Sequence, residues 1–324
     1  MTGRIIGLGS YLPKKIVTND DLAKIVETND EWIQERTGIA QRHIMDPIEE
    51  NPSTMIAIAA QKALEDACID ASEIDLIIAA STTPDMVFPG MACYAQKAIA
   101  ADNAGCFDVN SACPGWIAAF NAAQSFIEAG NAKTVMVAAT EGLSNFVDWT
   151  DRGTCILFGD GAAAAILRAD ESLDKTKMVM HATYKKAECL SCESMKQPKR
   201  MDEEDFVKNT YIQMAGRDVF RFAVTEVPNL IKELSEKYEF NLDDVDYFVL
   251  HQANARIIET IAKRLDQDIS KFPMTVHDTG NISTASIPNL LDIMKKDGRL
   301  KRGQKLVLAS FGAGLTWAGC YIEY

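Results

Sequence analysis

Four short segments hold the residue types that acyl chemistry needs: Asp108-Val-Asn-Ser-Ala-Cys113-Pro-Gly-Trp116, His251-Gln-Ala-Asn254, Gly280-Asn281-Ile-Ser283 and Phe311-Gly-Ala-Gly314. In the first, a strand-like run meets a tight turn and then a helical pattern whose first turn holds Cys113 and Pro114. Proline suits that turn because the N–H it lacks would be unpaired there. A cysteine so placed lies at the positive end of the helix dipole. The free N–H groups beside it favour thiolate and can hold a developing oxyanion. The pattern also fits a buried structural thiol, so Cys113 alone does not define a site. His251 directly follows an apolar run, at the kind of strand end where α/β proteins bind ligands. Of the four histidines it is the best placed; His43, His181 and His277 read as surface or satisfied core residues. Gly280-Asn281 taken alone is a turn, since both residues tolerate positive φ. Phe311-Gly-Ala-Gly314 offers close backbone approach and exposed amides, and Phe158-Gly-Asp-Gly161 reads first as a structural turn.

These segments hang on an alternation of apolar, β-rich runs with helical patterns, which predicts an α/β fold. The runs at 75–80 (DLIIAA), 107–109 (FDV) and 133–138 (KTVMVA) are matched by 246–250 (DYFVL), 274–276 (MTV) and 304–309 (QKLVLA). Asp75 to Asp246, Asn110 to Asn281 and Ala138 to Ala309 are each 171 residues apart. One offset across three elements points to an internal duplication, with halves at 1–170 and 171–324. It places the Asn281 turn opposite the Cys113 turn, at one central crevice. After Cys113, the spacing of Trp116, Phe120, Ala123 and Ile127 predicts a helix with a buried face, closed by Gly130 at C′. The stretch 185–208 is the least patterned and is expected to be a surface excursion, either a plain connector or a flap at the mouth of a site.

Composition sets the outer limits. A chain of 324 residues, 47% hydrophobic and 24% charged, can bury a large core. Its net charge of −13 disfavours general attraction to nucleic acid or an anionic membrane surface, so an anionic partner must meet a local basic patch. The start, MTGRIIGLGSYLP, lacks a secretory pattern, and no apolar run approaches the ~20 residues of a membrane span. A cytoplasmic protein is expected. The eight cysteines are scattered among apolar neighbours like reduced core thiols. Cys189-x-x-Cys192 lacks the second pair of ligands a zinc site needs, so no metal is expected.

Taken together the residues resemble β-ketoacyl-[acyl-carrier-protein] synthase III, a condensing enzyme of the thiolase-like superfamily. The resemblance spans essentially the whole chain in order: residues 31–39 (EWIQERTGI), Thr83-Pro-Asp85 with Phe88-Pro89, the Cys113 turn, Asp151-Arg-Gly-Thr154, Phe158-Gly-Asp-Gly161, Met214-Ala-Gly216, His251-Gln-Ala-Asn254, Gly280-Asn281 and 311–317 (FGAGLTW). It implies a five-layered αβαβα fold from two related halves, a homodimer, and decarboxylative condensation of a primer acyl-CoA with malonyl-[acyl-carrier protein] that initiates fatty acid synthesis. Acyl-CoA would be a substrate, and no cofactor is implied.

Carried over position by position, the resemblance makes Cys113 the acylated nucleophile. His251 and Asn281 would bind the malonyl thioester carbonyl and stabilise the enolate, the amides of Cys113 and Ala313 would form the oxyanion hole, and Phe311 would keep the site dry. Trp32 and Arg36 would sandwich the adenine of coenzyme A, and Arg152 and Arg217 would reach its phosphates, with Gly216 and Asn254 also on the coenzyme path. Arg217 stands where the family commonly has asparagine. Arg221, Arg256, Lys263 and Arg264 would dock the acidic carrier protein, although a charged helix face is also an ordinary solvated one. Phe88 would cross the dimer interface to line the acyl pocket. Pro114 and Trp116 replace a smaller residue and a phenylalanine beside the nucleophile, which leaves primer length open.

Relatives within the superfamily have other companions. Elongating ketoacyl synthases have a second histidine and thiolases a C-terminal Cys-x-Gly, whereas here the partner is Asn281, and Cys320 is followed by Tyr321-Ile322. A chalcone-synthase-like type III polyketide synthase or a specialised-pathway ketosynthase is the nearest alternative. A papain-type Cys-His-Asn hydrolase, or a thioester-binding module without chemistry, is more distant.

Overall fold

The computed structural model describes residues 1–193 and 211–324. Two sheets carry the architecture. The first runs Thr2–Tyr11, Asp160–Asp170, Thr134–Gly142, Leu76–Ala80, Gly105–Val109, and the second runs Lys177–Ala182, Thr316–Glu323, Lys305–Gly312, Tyr247–Leu250. Leu76 pairs in parallel with Val135, and Tyr247 with Leu306, so the two central pairings repeat at the 171-residue offset. In each sheet the outer neighbour of the long central strand is antiparallel.

The apolar runs lack simple alternation because both faces of each sheet are covered. On Thr134–Gly142, Val135, Val137 and Ala139 face the middle of the molecule while Met136 and Ala138 face outward. On Lys305–Gly312, Leu306 and Leu308 face the same middle layer, and Val307, Ala309 and Phe311 the opposite outer one. The middle layer is the helices Gly115–Glu128 and Ser286–Lys296, again 171 residues apart at their starts. Pro52–Ala67 and Met91–Ile99 cover one outside, and Gly216–Tyr238 and Ala255–Leu265 the other. The result is a thiolase-like five-layered αβαβα fold. Trp116, Ile117, Phe120 and Ile127 are essentially fully buried between the sheets, and each large side chain so placed contributes about 1.5–3 kcal/mol. Gly130 closes their helix at φ +74°, as its position predicts.

The duplication fails at one element. Residues 274–276, expected as the counterpart of Gly105–Val109, form no strand, and Val276–Thr279 is a helical turn. The Gln252 side chain explains this, because its Oε1 accepts the N–H of Thr275 (2.8 Å) and of Val276 (3.3 Å), donors that a ladder would need. The second sheet therefore has four strands.

Candidate active site

Cys113 and His251 arrive at one cleft from strand ends and Asn281 from the helical turn Val276–Thr279, with Phe311, Gly312, Gly216 and Asn254. Two adjoining cavities, about 140 and 240 Å3, share Cys113, Phe158 and Leu190. A larger polar groove of about 430 Å3 beside Gly3, Lys175 and Lys305 contains none of the three.

The helix after the nucleophile begins at Gly115 with Pro114 as its N-cap, so Cys113 lies one residue ahead of the cap and not inside the first turn. The preceding Ala112 is left-handed at φ 49°, as is Ser283 at φ 48°, its partner 171 residues on. The expectation of a favoured thiolate does not survive the depth of the site. Cys113 stays half-buried and open to the cleft, but desolvation pushes its thiol up to about 12, with the nearby Glu141 carboxylate adding to the rise. A hydrogen bond from Ser283 Oγ to Sγ (3.3 Å) opposes it.

The oxyanion geometry rests on Gly312. A Cβ there would lie 2.9 Å from Cys113 N and 2.8 Å from Pro114 Cδ, so the 311–314 turn presses backbone to backbone on the nucleophile. Thr316 Oγ1 donates to Ala313 O (2.9 Å) or to Ser111 O (3.2 Å), pinning the two turns together. Ala313 lines the cavity beside Cys113.

His251 is buried, and desolvation pushes its pKa down to about 3, so the imidazole is neutral at physiological pH. Its Nδ1 lies 2.8 Å from Ser286 Oγ, and that oxygen is 3.4 Å from the Gln252 N–H. In the tautomer whose Nδ1 accepts from the Ser286 hydroxyl, Nε2–H is the donor for a ligand. The Phe311 ring stands edge-on to the imidazole, centroids 5.4 Å apart. Asn281 Oδ1 accepts the Ser283 N–H (2.8 Å), so the NH2 end is the one that can donate into the cleft. Its backbone is clamped by Leu157 O (2.8 Å) and the Gly159 N–H (3.0 Å). Phe158-Gly-Asp-Gly161, expected as a turn, instead leads into the strand Asp160–Asp170, and Phe158 bridges to Asn281 and so sets it. Gly159 has no room for a side chain, since a Cβ would meet Thr279 O at 2.4 Å.

At the mouth, the guanidiniums of Arg36 and Arg152 lie 4.3 and 4.6 Å from the Trp32 ring centroid, so Arg152 sits at a stacking distance as well as Arg36. Asn254 caps Ala255–Leu265 through the Arg256 N–H and donates to Arg36 O (3.1 Å), joining the two groups of candidate coenzyme residues. Gly216 begins its helix at the cleft, and Arg217 is exposed beside it. Arg256, Lys263 and Arg264 are exposed on Ala255–Leu265, whose opposite side buries Ile257, Ile258, Ile261 and Leu265. Arg264 reaches Thr225 on the adjacent helix, one turn from the exposed Arg221. The four cations thus share one surface.

The structure places three further expectations. Trp116 does not shape the cleft: it is 1% exposed, stacks on Phe120 and donates Nε1–H to Val137 O (3.2 Å). The cavity walls are Leu143, Phe146, Leu190 and Ile212. Phe88 lines neither cavity of this chain and is 80% exposed, next to the exposed Val87. The described start of the 185–208 excursion pairs Leu190–Ser191 with Gln213–Met214 at the cavity wall, and 194–208 lie outside the described residues. Ser283, Ser286 and Glu141 were not singled out in the sequence; the 171-residue match of Ser283 to Ala112 was the signal available.

The comparisons agree with this geometry. Family models described as 3-oxoacyl-[acyl-carrier-protein (ACP)] synthase III and its C-terminal part match residues 107–186 and 235–324. The β-ketoacyl-[acyl-carrier-protein] synthase III of Clostridium acetobutylicum is 46% identical, over 99% of this chain and 98% of that protein. The crystal structure of 3-oxoacyl-[acyl-carrier-protein] synthase III from Aquifex aeolicus superposes with a TM-score of 0.92 at 40% identity, covering 99% of this chain and 100% of that one. The priming β-ketosynthase of the R1128 polyketide biosynthetic pathway has a TM-score of 0.92 at 33% identity, covering 99% and 96%. With matches of this extent and a cleft that joins Cys113, His251 and Asn281, the chain belongs to the β-ketoacyl-[acyl-carrier-protein] synthase III family.

Proposed function

We infer that this protein transfers a primer acyl group from acyl-CoA to Cys113 and condenses it with malonyl-[acyl-carrier protein], releasing CO2 and a 3-oxoacyl-[acyl-carrier protein] as the first step of fatty acid synthesis. The observation that carries this reading is the pairing of a buried, neutral His251 with Asn281 across the cleft from Cys113.

Sγ attacks the primer thioester, and the N–H groups of Cys113 and Ala313 take the oxyanion as CoA departs. The malonyl thioester carbonyl then accepts from His251 Nε2–H and Asn281 Nδ2–H. Loss of CO2 places negative charge on that oxygen, where two neutral donors stabilise it without protonating it. The enolate carbon attacks the acyl group on Cys113, and the thiolate is expelled. Phe311 shields His251 from water, which strengthens both hydrogen bonds. Trp32 with Arg36 and Arg152 forms the coenzyme A mouth, with Gly216, Arg217 and Asn254 beside it, and Arg221, Arg256, Lys263 and Arg264 dock the carrier protein. Exposed Val87 and Phe88 suit a homodimer interface. Among the described residues no helix is long and apolar enough to cross a membrane, and a cytoplasmic enzyme fits these substrates. Mixing the protein with acetyl-CoA and a panel of acyl-CoAs should give one acyl adduct by intact mass, absent in Cys113→Ser. An adduct that persists in that variant, or none with any acyl-CoA, would overturn the reading.

A further inference from the structure

The mechanism above leaves the Cys113 proton without a destination. His251, neutral and paired through Nδ1 with Ser286, is assigned to the malonyl carbonyl as a donor, and burial pushes the thiol pKa up. A buried carboxylate lies behind the Thr82–Thr83 wall of the cleft. Glu141, at the end of Thr134–Gly142, is fully buried, yet its carboxylate accepts from Thr82 Oγ1 (2.8 Å), Thr83 Oγ1 (2.6 Å) and the Thr82 N–H (3.2 Å). The Ser283 hydroxyl, 3.3 Å from Cys113 Sγ, is near enough to this carboxylate to lower its pKa. By the 171-residue correspondence, Glu141 is to the Ser283 turn what Gly312 is to the Cys113 turn. Two equivalent strand ends thus meet two equivalent turns, one with no side chain and the other with a carboxylate.

We propose that Glu141, acting through the Ser283 hydroxyl, accepts the Cys113 proton during acylation and returns it when Cys113 is expelled. A hydroxyl between thiol and carboxylate has two consistent arrangements. With Glu141 ionised, Ser283 donates to the carboxylate and accepts from S–H. With Glu141 protonated, the carboxyl donates to Ser283 and Ser283 donates to thiolate. Passing from the first to the second breaks S–H and the Ser283 O–H, and forms a new Ser283 O–H and Glu141 O–H. The sulfur pair forms the S–C bond, and CoA leaves as a thiolate that takes a proton from water. After decarboxylation, collapse of the tetrahedral adduct expels the Cys113 thiolate, and the relay runs backward to reprotonate it. One proton per turnover is drawn from solvent, as the overall reaction requires. Burial raises the Glu141 carboxyl to about 7, so both of its states are accessible near neutral pH. Among the described residues, the ionisable groups at the thiol are Glu141, His251 across the cleft, which burial keeps neutral, and Cys192 on the cavity wall, whose thiol burial pushes up.

The inference rests on acylation of Cys113, and its test separates the two. Alkylation of Cys113 by iodoacetamide, read by peptide mass from pH 5 to 10, is measured for the wild type, Glu141→Gln and Ser283→Ala beside acylation by acetyl-CoA, with thermal unfolding to confirm folding. Ser283→Ala keeps the charge of Glu141 and keeps a Cβ at the left-handed position. Both variants should react on the order of 10²-fold more slowly at pH 7 and lose the inflection near neutrality, converging on the wild type at high pH. If Glu141 is only a fixed charge, Glu141→Gln accelerates alkylation, while Ser283→Ala, losing only one hydrogen bond to sulfur, slows it about five-fold and keeps the inflection near neutrality. Either result, or a wild-type profile in both, overturns the relay. Slowed alkylation in a protein that no acyl-CoA acylates would sustain the relay and sink the proposed function.

Discussion

Gly312→Ala tests the oxyanion hole through a single methyl group. The new Cβ would sit 2.8 Å from Pro114 Cδ, 2.9 Å from Cys113 N and 3.1 Å from Cys113 Cβ, where ordinary contact begins near 3.4 Å. The two turns must therefore part by about half an ångström in a close-packed interior that yields little. The N–H groups of Cys113 and Ala313 would then leave the narrow window in which an oxyanion is held, and loss of one such donor costs on the order of 10²–10³ in rate. Overpacking itself costs about 1–3 kcal/mol of stability, so the variant should fold with a lowered Tm. Rapid mixing with acetyl-CoA followed by intact mass gives the acylation rate, and iodoacetamide alkylation, which forms no oxyanion, is the control. Acylation should fall on the order of 10²-fold while alkylation stays within a few-fold. Acylation at the wild-type rate would refute the placement of the oxyanion hole at these two turns.

Because burial pushes His251 down to about 3, the folded protein holds it neutral while the unfolded chain protonates it below about 6.5. Its contribution to stability is full above that pH and shrinks as pH falls toward 3, so the stability difference between wild type and His251→Gln should narrow from pH 8 to pH 5 in thermal melts. Trp116→Phe should cost about 1–3 kcal/mol through the lost Nε1–H bond to Val137 O and the space left by the smaller ring, without changing primer preference, whereas Phe146→Ala should admit longer acyl-CoAs; a shifted primer range in the Trp116 variant would contradict its place in the core. Arg256→Glu should weaken carrier-protein binding, most at low salt, and spare acyl-CoA loading, as titration against ionic strength would reveal.

Much of this architecture was legible because burial on both faces writes itself as continuous apolar runs, and because the duplication preserved spacing. The offset that paired Asn110 with Asn281 also paired the central strands and the middle helices. It failed at 274–276, where a side chain from another turn, Gln252, takes the backbone donors, a long-range contact with no local signature. The site was legible where the chemistry needs a rare residue type, as at Cys113 and His251. It was illegible where common hydroxyls do the positioning, as at Ser283 and Ser286. The thiol illustrates the limit most clearly: a helix start argues for thiolate, but depth below the surface decides, and depth depends on the other half of the chain. Trp116 holds its predicted place on the buried face of the helix, but its adjacency to the nucleophile wrongly suggested that it also borders the acyl pocket.

The most direct test of the central claim is CO2 release from malonyl-[acyl-carrier protein] by preformed acyl-enzyme in His251→Ala and Asn281→Ala. Both variants should carry the acyl group on Cys113 yet release CO2 on the order of 10²-fold more slowly than the wild type. Wild-type CO2 release from either would contradict the assignment of that residue to the enolate.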